Sequence, residues 1–241
     1  MKKIMVLLLA SVVLLGCQAN NNTELERKIT ELELKVEKLS AVQTEIAQKT
    51  GLGALVRPAE LIYADGHKIG NSKAKVAILE FTDLHCPFCA KFNNEVWPEL
   101  KKQYVDNGQV LFVGREFPLY QSHQQAPFAA LTLRCAAVQN IYSPMKDYLF
   151  TTQNGLKQVD VDIELAKLNA DPKKHAECLK NEEFQTGIRD STLYGGQLGL
   201  SSTPTFFIGI NNGTGVIEYK EVIGAKSYAE FAQILDEMLA K

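Results

Sequence analysis

The residues with the clearest capacity for chemistry are two cysteines that stand close together, Cys86 and Cys89. A pair with two intervening residues can be a redox couple, half of a zinc site, or two unrelated thiols of the core. A zinc site would need a second close cysteine pair or a histidine cluster, and the sequence offers neither. The spacing therefore favours thiol–disulfide exchange, and we expect no metal and no other cofactor.

The predicted elements around the pair indicate which thiol is the nucleophile and which is the resolving thiol. Residues 76–82 are apolar, as in a buried strand, and Cys86 follows where a helix should begin, with Pro87 at an early helical position. The N-terminus of a helix has a partial positive charge and unpaired N–H groups, which stabilise a thiolate. Cys86 is therefore the expected nucleophile, and Cys89, one helical turn further along, is the expected resolving thiol.

A single carboxylate, Glu80, interrupts the apolar strand six positions before Cys86. If Glu80 is buried, it needs a partner or a proton, and burial would raise its pKa. The alternative is a glutamate exposed at the edge of the sheet. The sequence leaves both possibilities open.

The N-terminus has the features of an export signal. Met1-Lys2-Lys3 is followed by an apolar run from Ile4 to Leu15, which is shorter than the roughly 20 residues that span a bilayer. The ending Leu14-Leu15-Gly16-Cys17 resembles the lipobox of bacterial lipoproteins, which implies cleavage before Cys17 and acylation of that cysteine. The alternative is an ordinary signal peptide in which the cysteine is incidental. Two or more acyl chains would hold the protein stably on a membrane.

The cysteine count supports an exported protein with one structural disulfide. Of five cysteines, four remain once Cys17 is set aside as the lipid carrier, an even number in an oxidising compartment. Because Cys86 and Cys89 are close in sequence, they are expected to pair with each other, and Cys135 is then expected to form a disulfide with Cys178. Their bridge would close a loop of about 43 residues and contribute roughly 4 kcal/mol. A second redox pair is the alternative, but neither close spacing nor a helix-start position for Cys135 favours it.

The net charge of −2 gives no sign of a nucleic-acid-binding surface. Instead, a heptad pattern before the cysteine domain predicts an oligomerisation helix over residues 23–50. Apolar residues recur there at alternating spacings of four and three, interrupted at Gln43: Leu25, Ile29, Leu32, Val36, Leu39 and Ile46. This pattern favours a two-stranded homo-oligomer, with a trimer or a single helix packed on its own domain as alternatives. Lys28 and Glu33 flank the apolar seam, where they could pair between chains.

The rest of the chain reads as one α/β domain. After a signal peptide (1–16), a tether (17–22), the helix (23–50) and a linker (51–60), the domain is predicted to cover residues 61–241. Strands are expected at 76–82, 109–117, 203–208 and 216–222, and helices at 88–104, where Pro98 introduces a kink or break, and at 227–239. Helical patterns dominate an insertion at about 120–198.

Two motifs, FTDLHCPFC at 81–89 and STPTFF at 202–207, together resemble the Dsb-type (DsbA-like) thiol–disulfide oxidoreductases of the thioredoxin superfamily. The resemblance covers roughly residues 63–239. It implies a thioredoxin fold with an inserted helical cap, here preceded by the coiled-coil helix. It also implies a cis peptide bond before Pro204, facing the cysteine pair.

The resemblance further assigns roles to single residues. It implies that Thr203, Pro204, Pro87 and Phe88 contact the substrate chain, and that Glu80 assists proton transfer to Cys89. Strongly oxidising relatives often have a histidine at the position of Phe88, which cannot donate a hydrogen bond to a thiolate.

Two histidines, His85 and His123, are also expected to lie near the cysteine pair. His85 is the candidate substitute for the missing donor, although a solvated loop residue is the simpler expectation. His123 is expected to cap a helix near the site.

These features predict an enzyme that forms, reduces or isomerises disulfides in exported cysteine-containing proteins, served by a membrane or soluble redox partner. The oligomerisation helix resembles the architecture of the isomerases of this family. Gln18 is not the aspartate that retains many lipoproteins at the inner membrane, so the outer membrane is the expected location. The alternatives are a non-enzymatic surface lipoprotein with a structural disulfide and a reductase dedicated to one partner.

Overall fold

A computed structural model describes residues 24–36, 38–40, 42–43, 45–47, 49–50, 52–64, 66–152 and 155–241 of the chain. The chain divides into two units between Val56 and Arg57. The predicted signal peptide, the tether and Cys17 lie outside the described residues. Within the described ranges, no helix has the length and apolar character needed to cross a bilayer.

The first unit contains the helix that the heptad pattern predicts. Its longest uninterrupted described part, α1, covers residues 24–36, and residues 38–40, 42–43, 45–47 and 49 are also helical. Ion pairs four residues apart stabilise the exposed face of this helix, including Lys35 Nζ to Glu31 Oε1 at 2.7 Å. A short 3₁₀ turn, Gly53–Val56, follows.

The second unit is built on a six-stranded sheet in the order β1-β6-β5-β3-β4-β2. The strands are β1 Glu60–Ile62, β2 His67–Ile69, β3 Val76–Thr82, β4 Val110–Glu116, β5 Thr205–Asn211 and β6 Gly215–Ile223. β3 and β4 are parallel, and the other neighbouring strands are antiparallel. The central strand β3 is buried along its whole length, which explains its almost continuous apolar sequence.

The helices of this unit are α2 Pro87–Lys91, α3 Trp97–Leu100, α4 Ala126–Val138, α5 Tyr142–Thr152, α6 Gln158–Lys167, α7 Pro172–Cys178, α8 Glu182–Gln197 and α9 Tyr228–Ala240. The single helix predicted at 88–104 is in fact α2 and α3 with π-helical stretches at Phe92–Val96 and Lys101–Val105. Pro98 occupies the first turn of α3, where its missing N–H is not needed. The insertion between β4 and β5 consists of α4 to α8.

Successive side chains of β3 point to opposite faces of the sheet, so the strand contributes to a separate part of the core on each face. Ile78 packs with Phe92 and Phe231 on one face, and Leu79 packs with Phe207 on the other. A third cluster packs α4, α5 and α6 together and includes both Cys86 and Cys89. The predicted fold class, a thioredoxin fold with an inserted helical cap, is confirmed, and the cysteine pair lies where this cap packs against the start of α2.

Candidate active site

Cys86 is the N-cap residue of α2, directly after the turn that follows β3. Its backbone is extended (φ −79°, ψ 123°), and its carbonyl accepts the N–H of Ala90 at 3.1 Å. Its own N–H donates to the carbonyl of Asp83 at 3.0 Å, which closes the turn. The thiol therefore lies at the positive end of the helix, as the sequence predicted.

The two thiols have opposite acidities. A hydrogen bond from Cys89 is the largest effect that lowers the pKa of Cys86, which falls to about 5, and hydrogen bonds from the N–H groups of Cys89 and Phe88 act in the same direction. Burial opposes this shift. The pKa of Cys89 lies well above its ordinary value, first because the side chain is fully buried and then because Cys86 is next to it. At neutral pH, Cys86 is therefore a thiolate and Cys89 a thiol.

A loop from the other end of the chain faces the pair. The peptide bond between Thr203 and Pro204 is cis, and Cys86 Sγ lies 3.3 Å from the carbonyl oxygen of Thr203. β5 begins immediately after this loop, and its pairing with β3 brings the loop to the end of the strand that leads to Cys86. The side chain of Phe88 is 61% exposed beside the pair.

Asp83 connects the cysteine turn to the segment that follows β4. Its Oδ1 accepts the N–H of His85 at 2.7 Å, and its Oδ2 accepts the N–H of Leu119 at 2.7 Å and lies 2.9 Å from Nδ1 of His123. The N–H of Asp83 points to Cys89 Sγ at 3.5 Å. No role for Asp83 was predicted from the sequence, although an aspartate whose side chain accepts an N–H two residues later is typical of turns.

Both histidine predictions need correction. His123 does not cap a helix, because α4 has Gln125 as its N-cap residue and no side-chain bond there. His85 is buried instead of solvated, and burial is the main reason that its pKa is lowered. The Nε2 atom of His85 has no hydrogen-bond partner among the described residues.

Glu80 is fully buried in β3, so the exposed-edge alternative is wrong. Its Oε2 accepts a hydrogen bond from Lys146 Nζ at 2.8 Å, and Lys146, which comes from α5 in the insertion, is also buried. Oε1 has no partner among the described residues. No sequence pattern identifies Lys146 as this partner, because the two residues are 66 positions apart.

The remaining described cysteines form a bridge within the insertion. Cys135 and Cys178 are joined by a disulfide between α4 and α7, with their Cα atoms 5.7 Å apart, whereas Cys86 and Cys89 are in the free thiol form. In the part of the chain that the structure describes, no group of three or more His, Cys, Asp or Glu side chains is placed to hold a metal ion.

Among known proteins, a Rickettsia conorii protein named provisionally as a protein-disulfide oxidoreductase is 27% identical over 154 residues, 60% of this chain and 54% of that protein. The chain spans about half the length of several curated relatives that it matches.

Two solved structures have the same fold. Alpha-DsbA1 of Wolbachia pipientis has a TM-score of 0.64 at 24% identity, covering 73% of this chain and 92% of that one. Oxidised BdbD from Bacillus subtilis has a TM-score of 0.62 at 20% identity, covering 73% and 94%. The family model described as Thioredoxin matches residues 64–237. The chain therefore belongs to the thioredoxin family and has the fold of its DsbA-like members.

Proposed function

We propose that this chain is a thiol–disulfide oxidoreductase of exported proteins that works through the Cys86-Pro87-Phe88-Cys89 pair. The observation that carries the proposal is the position of Cys86 Sγ, at the start of α2 and 3.3 Å from the Thr203 carbonyl beside the cis Pro204. Cys89 is fully buried behind it. This arrangement suits one thiol to meet a substrate and the other to react only with Cys86.

In the exchange, the Cys86 thiolate attacks one sulfur of a substrate disulfide. The substrate S–S bond breaks, a bond between Cys86 and the substrate forms, and the released substrate thiolate takes a proton from solvent. Cys89 then loses its proton and attacks Cys86 Sγ, which releases the second substrate thiolate. The substrate gains two electrons and the cysteine pair loses two, and the reverse sequence oxidises a substrate dithiol.

The acidity of Cys86 favours disulfide formation as the main direction. A stabilised thiolate stabilises the reduced pair, so the oxidised pair accepts electrons more readily. The stabilising hydrogen bonds come from Cys89 and the backbone of α2, so a histidine at the position of Phe88 is not required. The exposed Phe88 ring instead provides an apolar surface for the substrate chain beside Thr203 and Pro204.

Glu80 is proposed to carry the proton that Cys89 must lose before it attacks. Its support is a fully buried carboxylate in the strand that leads to the pair, with Lys146 on one oxygen and no partner among the described residues for the other. Glu80→Gln should slow release of the mixed disulfide while the alkylation rate of Cys86 stays unchanged. Equal mixed-disulfide lifetimes in both proteins would remove this role.

The location is proposed from the N-terminal sequence. We place the protein on the outer membrane, facing the periplasm, through acylation of Cys17, because the Leu14-to-Cys17 ending resembles a lipobox and Gln18 is not an inner-membrane retention signal. Radiolabelled palmitate should enter the wild-type chain but not Cys17→Ser. Label in both would show that Cys17 is not the attachment site.

Two measurements test the enzyme proposal. The Cys86–Cys89 potential should lie well above about −300 mV, below which structural disulfides usually fall. Reduced ribonuclease should regain activity with the oxidised wild-type protein but not with Cys86→Ser. Cys89→Ser keeps the Cys86 nucleophile without the resolving thiol, so it should form trapped mixed disulfides with scrambled, disulfide-containing ribonuclease. A potential below that limit, together with no ribonuclease recovery, would indicate a structural bridge. Recovery of scrambled ribonuclease alone would indicate an isomerase.

A further inference from the structure

The apolar seam of the N-terminal helix is exposed in the single chain. Six side chains of the seam are between 46% and 69% exposed: Leu25, Ile29, Leu32, Val36, Leu39 and Ile46. An exposed row of apolar side chains of this kind indicates an interaction surface. A helix of about three heptads is also only marginally stable on its own in water, so a partner helix would stabilise it.

We propose that this seam binds a second copy of the same chain, parallel and in register, as a two-stranded coiled coil. In heptad terms, Ile29 and Val36 occupy position a, and Leu25, Leu32 and Leu39 occupy position d. β-branched residues at a with leucine at d are the combination that favours two parallel strands. A row with the same residues on both helices is self-complementary, so a second copy fits without a further protein.

The charges beside the seam determine the direction of pairing. Glu26 and Glu33 occupy position e, on one side, and Lys28 and Lys35 occupy position g, on the other. In a parallel dimer, position g of one helix faces position e of the other, so Lys28 meets Glu33 of the second copy. In an antiparallel pair, equivalent sides meet, which would place lysine against lysine and glutamate against glutamate.

The contacts within the single helix leave this pairing available. Lys28 is 3.6 Å from Glu24, but an ammonium group has three donors and can serve a second carboxylate. Among the residues that the structure describes, no cation forms an ion pair with Glu26 or Glu33. Glu33 is therefore the natural acceptor for Lys28 of the second copy.

The test is sedimentation equilibrium of the full chain in a detergent whose density is matched to the solvent, so that only protein mass is measured. Wild type should behave as two chains, and Leu32→Asp should shift it to one chain. Leu34→Asp is the matched control, because Leu34 is 52% exposed in the same helix but lies outside the seam. A three-chain mass, or an unchanged mass for Leu32→Asp, would overturn the proposal.

Charge reversals test the direction separately. For parallel strands, Lys28→Glu and Glu33→Lys should each weaken association by roughly tenfold, because two attractive pairs become repulsive. The double variant, Lys28→Glu with Glu33→Lys, should restore wild-type association. In an antiparallel dimer like charges already face each other, so neither single reversal would weaken association, and that result would contradict the proposed orientation.

Discussion

The carboxylate of Asp83 lies 2.9 Å from Nδ1 of His123 and thereby connects the turn that carries Cys86 to the segment that leads into the helical insertion. The same carboxylate accepts the N–H groups of His85 and Leu119. One buried residue therefore sets both the conformation of the redox turn and its position relative to the neighbouring segment.

Asp83→Ala is expected to lower the free energy of unfolding by about 2–4 kcal/mol, because the buried N–H of His85 and the partly buried N–H of Leu119 lose their acceptor. Asp83→Asn keeps one carbonyl oxygen and should have an intermediate effect. Urea unfolding of the reduced proteins measures both. If the alanine variant were as stable as wild type, the N–H groups of His85 and Leu119 would have other acceptors.

The reactivity of Cys86 should report its lowered pKa. In the reduced protein, the rate of alkylation by iodoacetamide should be constant through neutral pH and fall as the pH decreases through about 5. Cys89→Ala removes the largest stabilising hydrogen bond and should move the midpoint to higher pH. A wild-type midpoint near the ordinary cysteine value would contradict the thiolate.

The stability of the reduced form should depend on pH more than that of the oxidised form. The folded-state pKa of Cys86 is about 5, against 9.0 ordinarily, so the unfolded chain binds more protons between these values. The resulting stabilisation is complete above the unfolded pKa and is lost as the pH falls through 5. From pH 7 to pH 5, the reduced form should lose about 2 kcal/mol relative to the oxidised form, measured by urea unfolding. If the stabilities of the reduced and oxidised forms changed with pH in the same way, the Cys86 thiolate would not contribute to stability.

Lys146→Ala should destabilise the protein by about 3–5 kcal/mol, because it leaves the Glu80 carboxylate buried without its cation. Lys146→Met combined with Glu80→Gln should recover much of this loss. The matched control is Lys167→Ala, since Lys167 Nζ lies at the same 2.8 Å from Glu164 but is exposed. Thermal unfolding measures the stability of the three variants. Equal losses of stability in Lys146→Ala and Lys167→Ala would mean that burial of the Lys146–Glu80 ion pair is unimportant.

Replacing both Cys135 and Cys178 by alanine should cost about 4 kcal/mol, because a loop of 43 residues is no longer closed in the unfolded chain. The Cys86–Cys89 potential should remain unchanged, since the bridge joins α4 to α7 within the insertion. Calorimetry and redox titration give the two values. A changed potential would show that this bridge takes part in the redox reaction.

The elements that sequence reasoning missed have a common physical cause. β1 and β2 are three residues long and lie at the sheet edges, so they lack a run long enough to display periodicity. The helix expected at 88–104 contains two π-helical stretches, because its turns adjust around Pro98 and the packing of Trp97 against Phe112. Such adjustments depend on neighbours that local patterns do not contain.

Local sequence patterns were enough to predict the candidate redox pair and which of its two thiols lies at the start of a helix. A buried strand leading into Cys86 and Pro87 predicts a thiol at a helix N-terminus, because strand burial and helix initiation are local properties. Only the tertiary structure decided what surrounds that thiol. Each contact joins segments that are distant in sequence: the Thr203 carbonyl with Cys86, Asp83 with Leu119 and His123, and Lys146 with Glu80. Hydrogen bonds of this kind depend on how the sheet and the insertion pack around the site. The spacing of residues along the chain does not predict that packing.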